Sequence, residues 1–160
     1  MRVKTIIDED FINYKLPSMF IASCFCDWKC CVEQNVPITI CQNSDIAKQP
    51  TIEVSNESIL ERYLTNQITS AIVIGGLEPL KQFDEVNDLI HAFRSSGVND
   101  NIVIYTGYYP EEIQEEIIQL KNFNNIIIKY GRFVLNLGER LDDVLGITLS
   151  SKNQYAERIS

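Results

Sequence analysis

The sequence has few basic residues, one histidine and no long apolar run. Nucleic-acid-binding proteins, histidine-dependent hydrolases and membrane-spanning proteins respectively require basic residues, histidine and long apolar runs. Basic residues are scarce, since 14 Lys and Arg stand against 22 Asp and Glu for a formal net charge of −8. A nucleic-acid backbone is bound by clustered Lys and Arg, so this composition argues against a nucleic-acid partner. The chain has one histidine, His91. Its scarcity disfavours hydrolysis by a Cys–His or Ser–His pair.

Long apolar runs are also missing. The apolar runs at residues 71–74 and 126–128 are far too short to span a bilayer. Acidic residues at positions 8–10 interrupt the N-terminal stretch in which a signal peptide would have its apolar core. We therefore expect a cytoplasmic protein with no membrane partner, in a compartment where thiols stay reduced.

Cysteine is absent from most of the chain and concentrated in one segment. All five cysteines lie between Cys24 and Cys41. In a reducing compartment this clustering favours metal binding or thiol chemistry over disulfides. Cys24 belongs to a strand-like apolar run and is interpreted as a buried, small apolar residue. The other four are the candidate ligands: Cys26, Cys30, Cys31 and Cys41.

The spacing of these cysteines narrows the kind of metal site. Cys26 and Cys30 form a C-x3-C pair, and Cys41 follows after ten intervening residues. Structural zinc sites usually have C-x2-C pairs and four protein ligands. Here a fourth thiolate is available only if the adjacent Cys30 and Cys31 both bind one ion. Three thiolates on a loop suit a cubane iron–sulfur cluster with one open iron. Spacing alone favours iron–sulfur only somewhat over zinc.

After the cysteines, short apolar segments alternate with amphipathic ones. The apolar segments predict strands at residues 19–25, 71–74, 101–105, 125–129 and 145–149. Such alternation is typical of an α/β fold, in which helices cover a parallel sheet. A closed barrel needs about 250 residues, which leaves an open doubly wound sheet or an incomplete barrel. Our prediction is a single domain over residues 1–160, an incomplete (β/α) barrel of about five to six parallel strands with outer helices.

The loops that follow the predicted strands hold the unusual residues, at the edge where such sheets bind ligands. One of these loops contains Gly75, Gly76, Glu78 and Pro79. Glycines at a strand-to-helix turn are common, but they also let a polar ligand approach the backbone. The loop is not the G-x-G-x-x-G dinucleotide fingerprint, because the third glycine and the later acidic residue are missing.

Together, the cysteines and this glycine loop resemble the radical S-adenosylmethionine superfamily. The similarity is greatest to the activating proteins of anaerobic ribonucleoside-triphosphate reductases. It extends over residues 20–154 and preserves the order of the motifs. The matching segments are Cys41-Gln-Asn43, Gly75-Gly-Leu-Glu-Pro-Leu80, Tyr105-Thr-Gly-Tyr108, Gly131-Arg-Phe133 and Ser150-Ser-Lys-Asn-Gln154.

The resemblance implies a glycyl-radical-enzyme activase. Cys26, Cys30 and Cys41, in a loop of about residues 24–43, would bind three irons of a [4Fe–4S] cluster whose fourth iron chelates S-adenosylmethionine. The implied partner is a large glycyl-radical reductase subunit, and the implied electron donor is a flavodoxin or ferredoxin. The residues implied to contact S-adenosylmethionine are Gly75, Gly76, Glu78, Pro79, Tyr105, Thr106, Ser150 and Asn153.

The sequence departs from the family pattern at three places. The third cysteine comes ten residues after the second, and Cys31 competes with Cys41 for the ligand role. Residues 13–17 replace a glycine-rich segment, and Tyr130 replaces the aspartate that usually precedes Gly-Arg-Phe. Two other functions therefore stay open: a non-catalytic metal-binding module that docks onto a partner, and a radical enzyme with a different substrate.

Overall fold

Nine strands are present in the computed structural model of the chain, which describes residues 1–160. The strands are β1 Arg2–Asp10, β2 Ser18–Ser23, β3 Ile52–Glu53, β4 Ala71–Gly75, β5 Asn101–Tyr105, β6 Ile126–Tyr130, β7 Arg140–Asp142, β8 Ile147–Leu149 and β9 Tyr155–Arg158. Seven of them form one sheet in the order β3-β1-β2-β4-β5-β6-β9, and β7 and β8 form a separate antiparallel pair.

The helices are short, and all lie between β2 and β6. They are α1 Lys29–Val32, α2 Ser44–Lys48, α3 Asn56–Thr65, α4 Phe83–Ser95 and α5 Gln114–Leu120. Single 3₁₀ turns occur at Ile38–Ile40, Pro79–Gln82 and Pro110–Glu112. None of the helices combines the length and the apolar character that crossing a membrane requires.

The predicted incomplete barrel of parallel strands with outer helices is wrong. Only β2, β4, β5 and β6 run parallel, while β1, β3 and β9 pair antiparallel at the two sides of the sheet. The connection from β1 to β2 is a short loop, which joins antiparallel neighbours and is too short for a crossover helix. The predicted strand at residues 145–149 forms only as Ile147–Leu149, and it belongs to the separate hairpin.

The two faces of the sheet bury different partners, because successive side chains of a strand point to opposite faces. Ile72 and Ile74 of β4 pack with the apolar sides of α3 and α4 in a cluster of 20 buried residues. Val73, between them, packs on the other face in a cluster of ten. That second face is covered by the segment after β1 and by the β7–β8 hairpin, through residues such as Tyr14 and Leu149. It is the face that opens into the cavity described below.

Candidate functional site

A cavity of about 320 Å³ opens where the four parallel strands end. The carboxyl ends of parallel strands meet at one edge of a sheet, so the loops that follow them converge there. Part of the cavity wall is apolar and is formed by Phe20, Tyr105 and Leu149. These residues belong to the second apolar cluster or pack against it. The polar and glycine residues of the wall are Asn13, Gln42, Asn43, Gly76, Glu78, Thr106, Gly107, Lys129, Gly131, Arg132, Thr148, Ser150 and Gln154.

Three of the five cysteines line this cavity. They are Cys26, Cys30 and Cys41, each partly exposed and none in a disulfide. Cys26 lies just after β2, Cys30 is in α1, and Cys41 follows the 3₁₀ turn Ile38–Ile40. The ten residues between Cys30 and Cys41 therefore leave the cavity and return to it, so the long spacing does not separate the thiols.

The other two cysteines lie outside the cavity wall. Cys31 is 3% exposed, and its sulfur lies 3.8 Å from that of Cys30. Cys24 is 8% exposed, and its backbone N–H donates to Gln82 Oε1 at 2.9 Å. Cys24 is thus the buried residue that the sequence predicted. The choice of Cys41 over Cys31 as third ligand stays a prediction, but it is Cys41 that faces the cavity.

A backbone N–H group points at one of the three cavity sulfurs. The Trp28 N–H donates to Cys26 Sγ at 3.3 Å. Burial raises the pKa of Cys26 to about 11. The pKa of Cys41 is lowered because its sulfur accepts a hydrogen bond from the Cys30 thiol, and the same bond raises the pKa of Cys30.

This donor set fits an iron–sulfur cluster. Three thiols share one cavity of sufficient volume, and N–H groups directed at sulfur are among the features that tune such clusters. No group of three His, Cys, Asp or Glu side chains is drawn together as a site for one metal ion. In a cubane each thiolate binds a different iron, so the three sulfurs need not meet at one point.

Glu78 is buried in the cavity wall and tied to the loop after β5. Its carboxylate accepts hydrogen bonds from Thr106 Oγ1 at 2.8 Å, from the Gly107 N–H at 2.8 Å and from the Leu80 N–H at 3.2 Å. Burial raises its pKa to about 7, against the lowering effect of these donors. The carboxylate therefore joins two cavity loops, in addition to any contact that it makes with a ligand.

The neighbouring glycines have separate structural reasons. Gly75 is the last residue of β4, where an added Cβ would lie 3.2 Å from Tyr105 Cβ, and it does not line the cavity. Gly76 does line the cavity. Its φ is +78°, and an added Cβ would lie only 2.8 Å from the Cβ of Ala22. Pro79 is buried at the start of a 3₁₀ turn and is not part of the wall.

The remaining predicted ligand contacts divide in the same way. Tyr105, Thr106 and Ser150 line the cavity, whereas Asn153 does not. Asn153 Nδ2 instead donates to the Arg132 carbonyl at 2.7 Å and to the Tyr109 hydroxyl at 2.9 Å, so it joins two rim loops. Whether any of these residues binds S-adenosylmethionine stays a prediction.

A set of polar contacts, which we call the loop latch, fastens the cysteine loop to the rim. In it, Glu112 accepts hydrogen bonds from Lys29 Nζ at 2.9 Å and from the guanidinium of Arg132, at 2.9 Å for Nη1. Arg132 also pairs with Glu33 at 3.1 Å. Gln34 donates to the carbonyls of Cys30 at 2.6 Å and of Phe133 at 2.7 Å. Lys29 and Glu33 flank the α1 cysteines, so the latch holds that part of the loop against the segments that follow β5 and β6.

Sequence reasoning missed Lys129 and Glu112. Lys129 is a buried residue of β6 and lines the cavity. Its position at the end of an apolar run suggested only the end of a strand, and strand register is needed to show which face it occupies. Glu112 lies in an acidic segment that, from sequence alone, is most simply interpreted as a solvated helix face. Its pairing with Arg132 brings together residues 20 apart in the chain, and no local pattern indicates that contact.

The fold and site thus define a protein with a three-thiol, cluster-sized cavity at the edge of a small mixed sheet. The chain matches the 4Fe-4S single cluster domain family over residues 16–155. That match covers most of the 160 residues, so the chain belongs to this family. No curated protein and no solved structure matches it.

Proposed function

We propose that the chain is a cytoplasmic radical S-adenosylmethionine protein that activates a glycyl-radical enzyme. Cys26, Cys30 and Cys41 would hold a [4Fe–4S] cluster which, reduced by a flavodoxin or ferredoxin, would supply the one electron for cleaving the C5′–S bond of S-adenosylmethionine to methionine and a 5′-deoxyadenosyl radical. That radical would take a hydrogen atom from a glycine of the partner. The observation that carries the proposal is the cavity itself. It joins the three thiols to the loops whose motifs resemble the activases.

The cysteines and the loops would have different tasks in this reaction. Cys26, Cys30 and Cys41 would hold the cluster, and the loop latch would keep Cys30 at the cavity wall. Gly76, Tyr105 and Phe20 line the cavity in which the ligand would lie. Glu78 fixes the relative positions of two loops that face the ligand. These residues orient the ligand and exclude water, and the open mouth is left for a large protein substrate.

Anaerobic reconstitution tests the proposal. The protein is loaded with iron and sulfide, reduced with dithionite and mixed with S-adenosylmethionine, and 5′-deoxyadenosine is measured by mass spectrometry. We expect iron–sulfur absorption together with 5′-deoxyadenosine. A protein that loads the cluster but yields no 5′-deoxyadenosine would refute the radical function and favour a non-catalytic module. An unloaded, zinc-binding protein would refute the cluster as well.

Two alanine variants test the ligand set. Cys41→Ala removes a thiol from the cavity wall, whereas the matched control Cys31→Ala removes a neighbouring buried thiol that is not part of the wall. We expect Cys41→Ala to lose most of its bound iron and Cys31→Ala to retain it. The opposite result would show that Cys31 is the third ligand.

The partner is tested by electron paramagnetic resonance. A candidate large reductase is incubated with the loaded, reduced protein and S-adenosylmethionine, with flavodoxin or ferredoxin in place of dithionite in a parallel sample. We expect the doublet of a glycyl radical, absent when S-adenosylmethionine is omitted. Turnover of S-adenosylmethionine with no radical on the reductase would favour a different substrate.

A further inference from the structure

Lys129 places a buried cation in the cavity. It is 6% exposed, and it occupies the penultimate position of β6. Its neighbours in the strand, Ile128 and Tyr130, belong to the apolar cluster on the helix side of the sheet. Since side chains alternate along a strand, Lys129 extends to the other side, where it lines the cavity with Cys30 and Glu78.

The ammonium group of Lys129 has no acidic partner at bonding distance. It takes part in none of the six salt bridges of the chain. Its one protein acceptor is the Gly131 carbonyl at 2.9 Å, and its Nζ lies 5.9 Å from the centroid of the Tyr105 ring. An ammonium group has three N–H donors, so two are free for a group inside the cavity.

The other charges of the cavity wall are already committed. Arg132 pairs with Glu112 and Glu33, and Glu78 accepts three hydrogen bonds from its own and a neighbouring loop. Burying an uncompensated cation costs free energy, and burial accordingly lowers the pKa of Lys129 to about 8. The nearby Glu78 carboxylate acts in the opposite direction and raises that pKa. A buried cation with free donors is most simply explained by an anion that it faces when the site is filled.

A [4Fe–4S] cluster held by three thiolates is such an anion. Its net charge is negative, and reduction adds one more negative charge, which a nearby cation stabilises. We propose that Lys129 is the electrostatic counter-charge of the cluster in this cavity, raising its reduction potential and favouring its retention. This inference rests on the cluster site of the proposed function but not on the cleavage of S-adenosylmethionine.

The role is distinct from that of the cysteines, because Lys129 would act through charge and not as an iron ligand. A purely structural lysine would serve only to donate to the Gly131 carbonyl and to pack on Tyr105. The two roles predict different responses to the same substitutions. Arginine preserves the charge, whereas methionine preserves the length and the apolar stem but removes the charge.

The test is a redox titration of reconstituted proteins, followed by electron paramagnetic resonance without S-adenosylmethionine. The variants are Lys129→Met, Lys129→Arg and the exposed control Lys121→Met. We expect Lys129→Met to lower the ratio of reduced to oxidised cluster at least tenfold at a fixed potential, which is about 59 mV for one electron. Lys129→Arg should show less than half of that shift, and Lys121→Met should show none.

The outcomes separate the charge role from a packing role. A Lys129→Met protein with a full cluster and an unchanged potential would overturn the inference. To detect loss of the cluster from that variant, bound iron and the far-ultraviolet spectrum are measured in parallel. A folded Lys129→Met protein that does not load, beside a Lys129→Arg protein that does, supports the charge role. Equal loss of iron from both variants indicates packing and overturns it.

The same measurements distinguish failure of this inference from failure of the proposed function. The potential of the cluster is determined without S-adenosylmethionine. A loaded protein that cleaves no S-adenosylmethionine refutes the radical function, while the comparison of Lys129→Met with Lys129→Arg still decides the charge role. A cluster whose potential is indifferent to Lys129 refutes the inference and leaves the radical function in place.

Discussion

Neutralising Glu112 should loosen the cysteine loop, because this carboxylate is the centre of the loop latch. It accepts hydrogen bonds from Lys29 Nζ and from the backbone of Tyr109, and it pairs with the guanidinium of Arg132. The Arg132 side chain is 6% exposed. Glu112→Gln preserves the shape of the side chain but leaves this buried cation with Glu33 as its remaining acidic partner.

The magnitude follows from the pKa of Glu112. The hydrogen bond from Arg132, with smaller contributions from the Tyr109 N–H and Lys29, lowers that pKa from 4.5 to about 2. Such a difference corresponds to about 3 kcal/mol of stability at neutral pH. Glu112 is 24% exposed and Lys29 is 43% exposed, so solvent screening reduces the expected loss to about 2 kcal/mol.

Urea unfolding of the reduced apoprotein measures this loss. With a slope of about 2 kcal/mol per molar urea, the midpoint should fall by about 1 M in Glu112→Gln. The matched control is Asp45→Asn, which breaks the fully solvated pair with Lys48 and should leave the midpoint unchanged. Equal midpoints for the two variants would refute the claim that the latch is held by charge.

The pH dependence gives the same prediction a second test. The folded-state pKa of Glu112 lies below its unfolded value, so the unfolded chain binds more protons between about pH 2 and pH 4.5. The stability that Glu112 contributes is therefore present above pH 4.5 and is lost as the pH falls toward 2. The difference between the original protein and Glu112→Gln should shrink over that interval. A difference that stays constant as the pH falls would contradict an ionic origin.

Two further predictions concern the glycine loop. Gly76→Ala should destabilise the apoprotein by about 3 kcal/mol, because φ is +78° and the new Cβ would meet Ala22. The control is Gly97→Ala, which has a similar φ but open space around it and should destabilise the apoprotein by only about 1 kcal/mol. Equal urea midpoints for Gly76→Ala and Gly97→Ala would refute the packing argument. Burial holds the pKa of Glu78 at about 7, so the folded state binds its proton more readily than the unfolded chain. Apoprotein stability should therefore decrease by about 3 kcal/mol as the pH rises from 4.5 through 7, and Glu78→Gln should remove that decrease; an identical pH profile for both proteins would contradict it.

The strands and helices whose apolar residues recur at a regular spacing could be predicted from the sequence. The strand expected at residues 101–105 is β5. The i, i+3, i+4, i+7 spacing of Val86, Leu89, Ile90 and Phe93 is that of an amphipathic helix, and all four residues are buried in α4. Each of these signals is local, since it depends on the spacing of apolar residues along one segment. The cysteine cluster is also visible within one short segment of the sequence, and three of its members line the cavity.

The flanking strands could not be predicted, and they account for the error in the fold. β1 carries charged residues at several positions, and only Val3 and Asp10 are buried along its length. β9 likewise has charged residues at Glu157 and Arg158. β1 pairs antiparallel with β2 and β3, and β9 pairs antiparallel with β6. Pairing of this kind is decided by the sheet as a whole, so a half-exposed polar strand has too weak a period to indicate it.

The register of β6 places Tyr130 and Lys129 on opposite faces of the sheet. Tyr130 is 1% exposed in the helix-side core, with its ring 5.4 Å from that of Tyr155 on the neighbouring β9. A carboxylate at that position would be buried among apolar groups, whereas the aromatic ring packs well there. Adjacent residues of a strand face opposite sides, so the polar contribution of β6 to the cavity comes from Lys129. Lys129 is therefore the residue through which this strand presents a charge to the cavity, and the potential of the bound cluster is the property in which that charge should be measured.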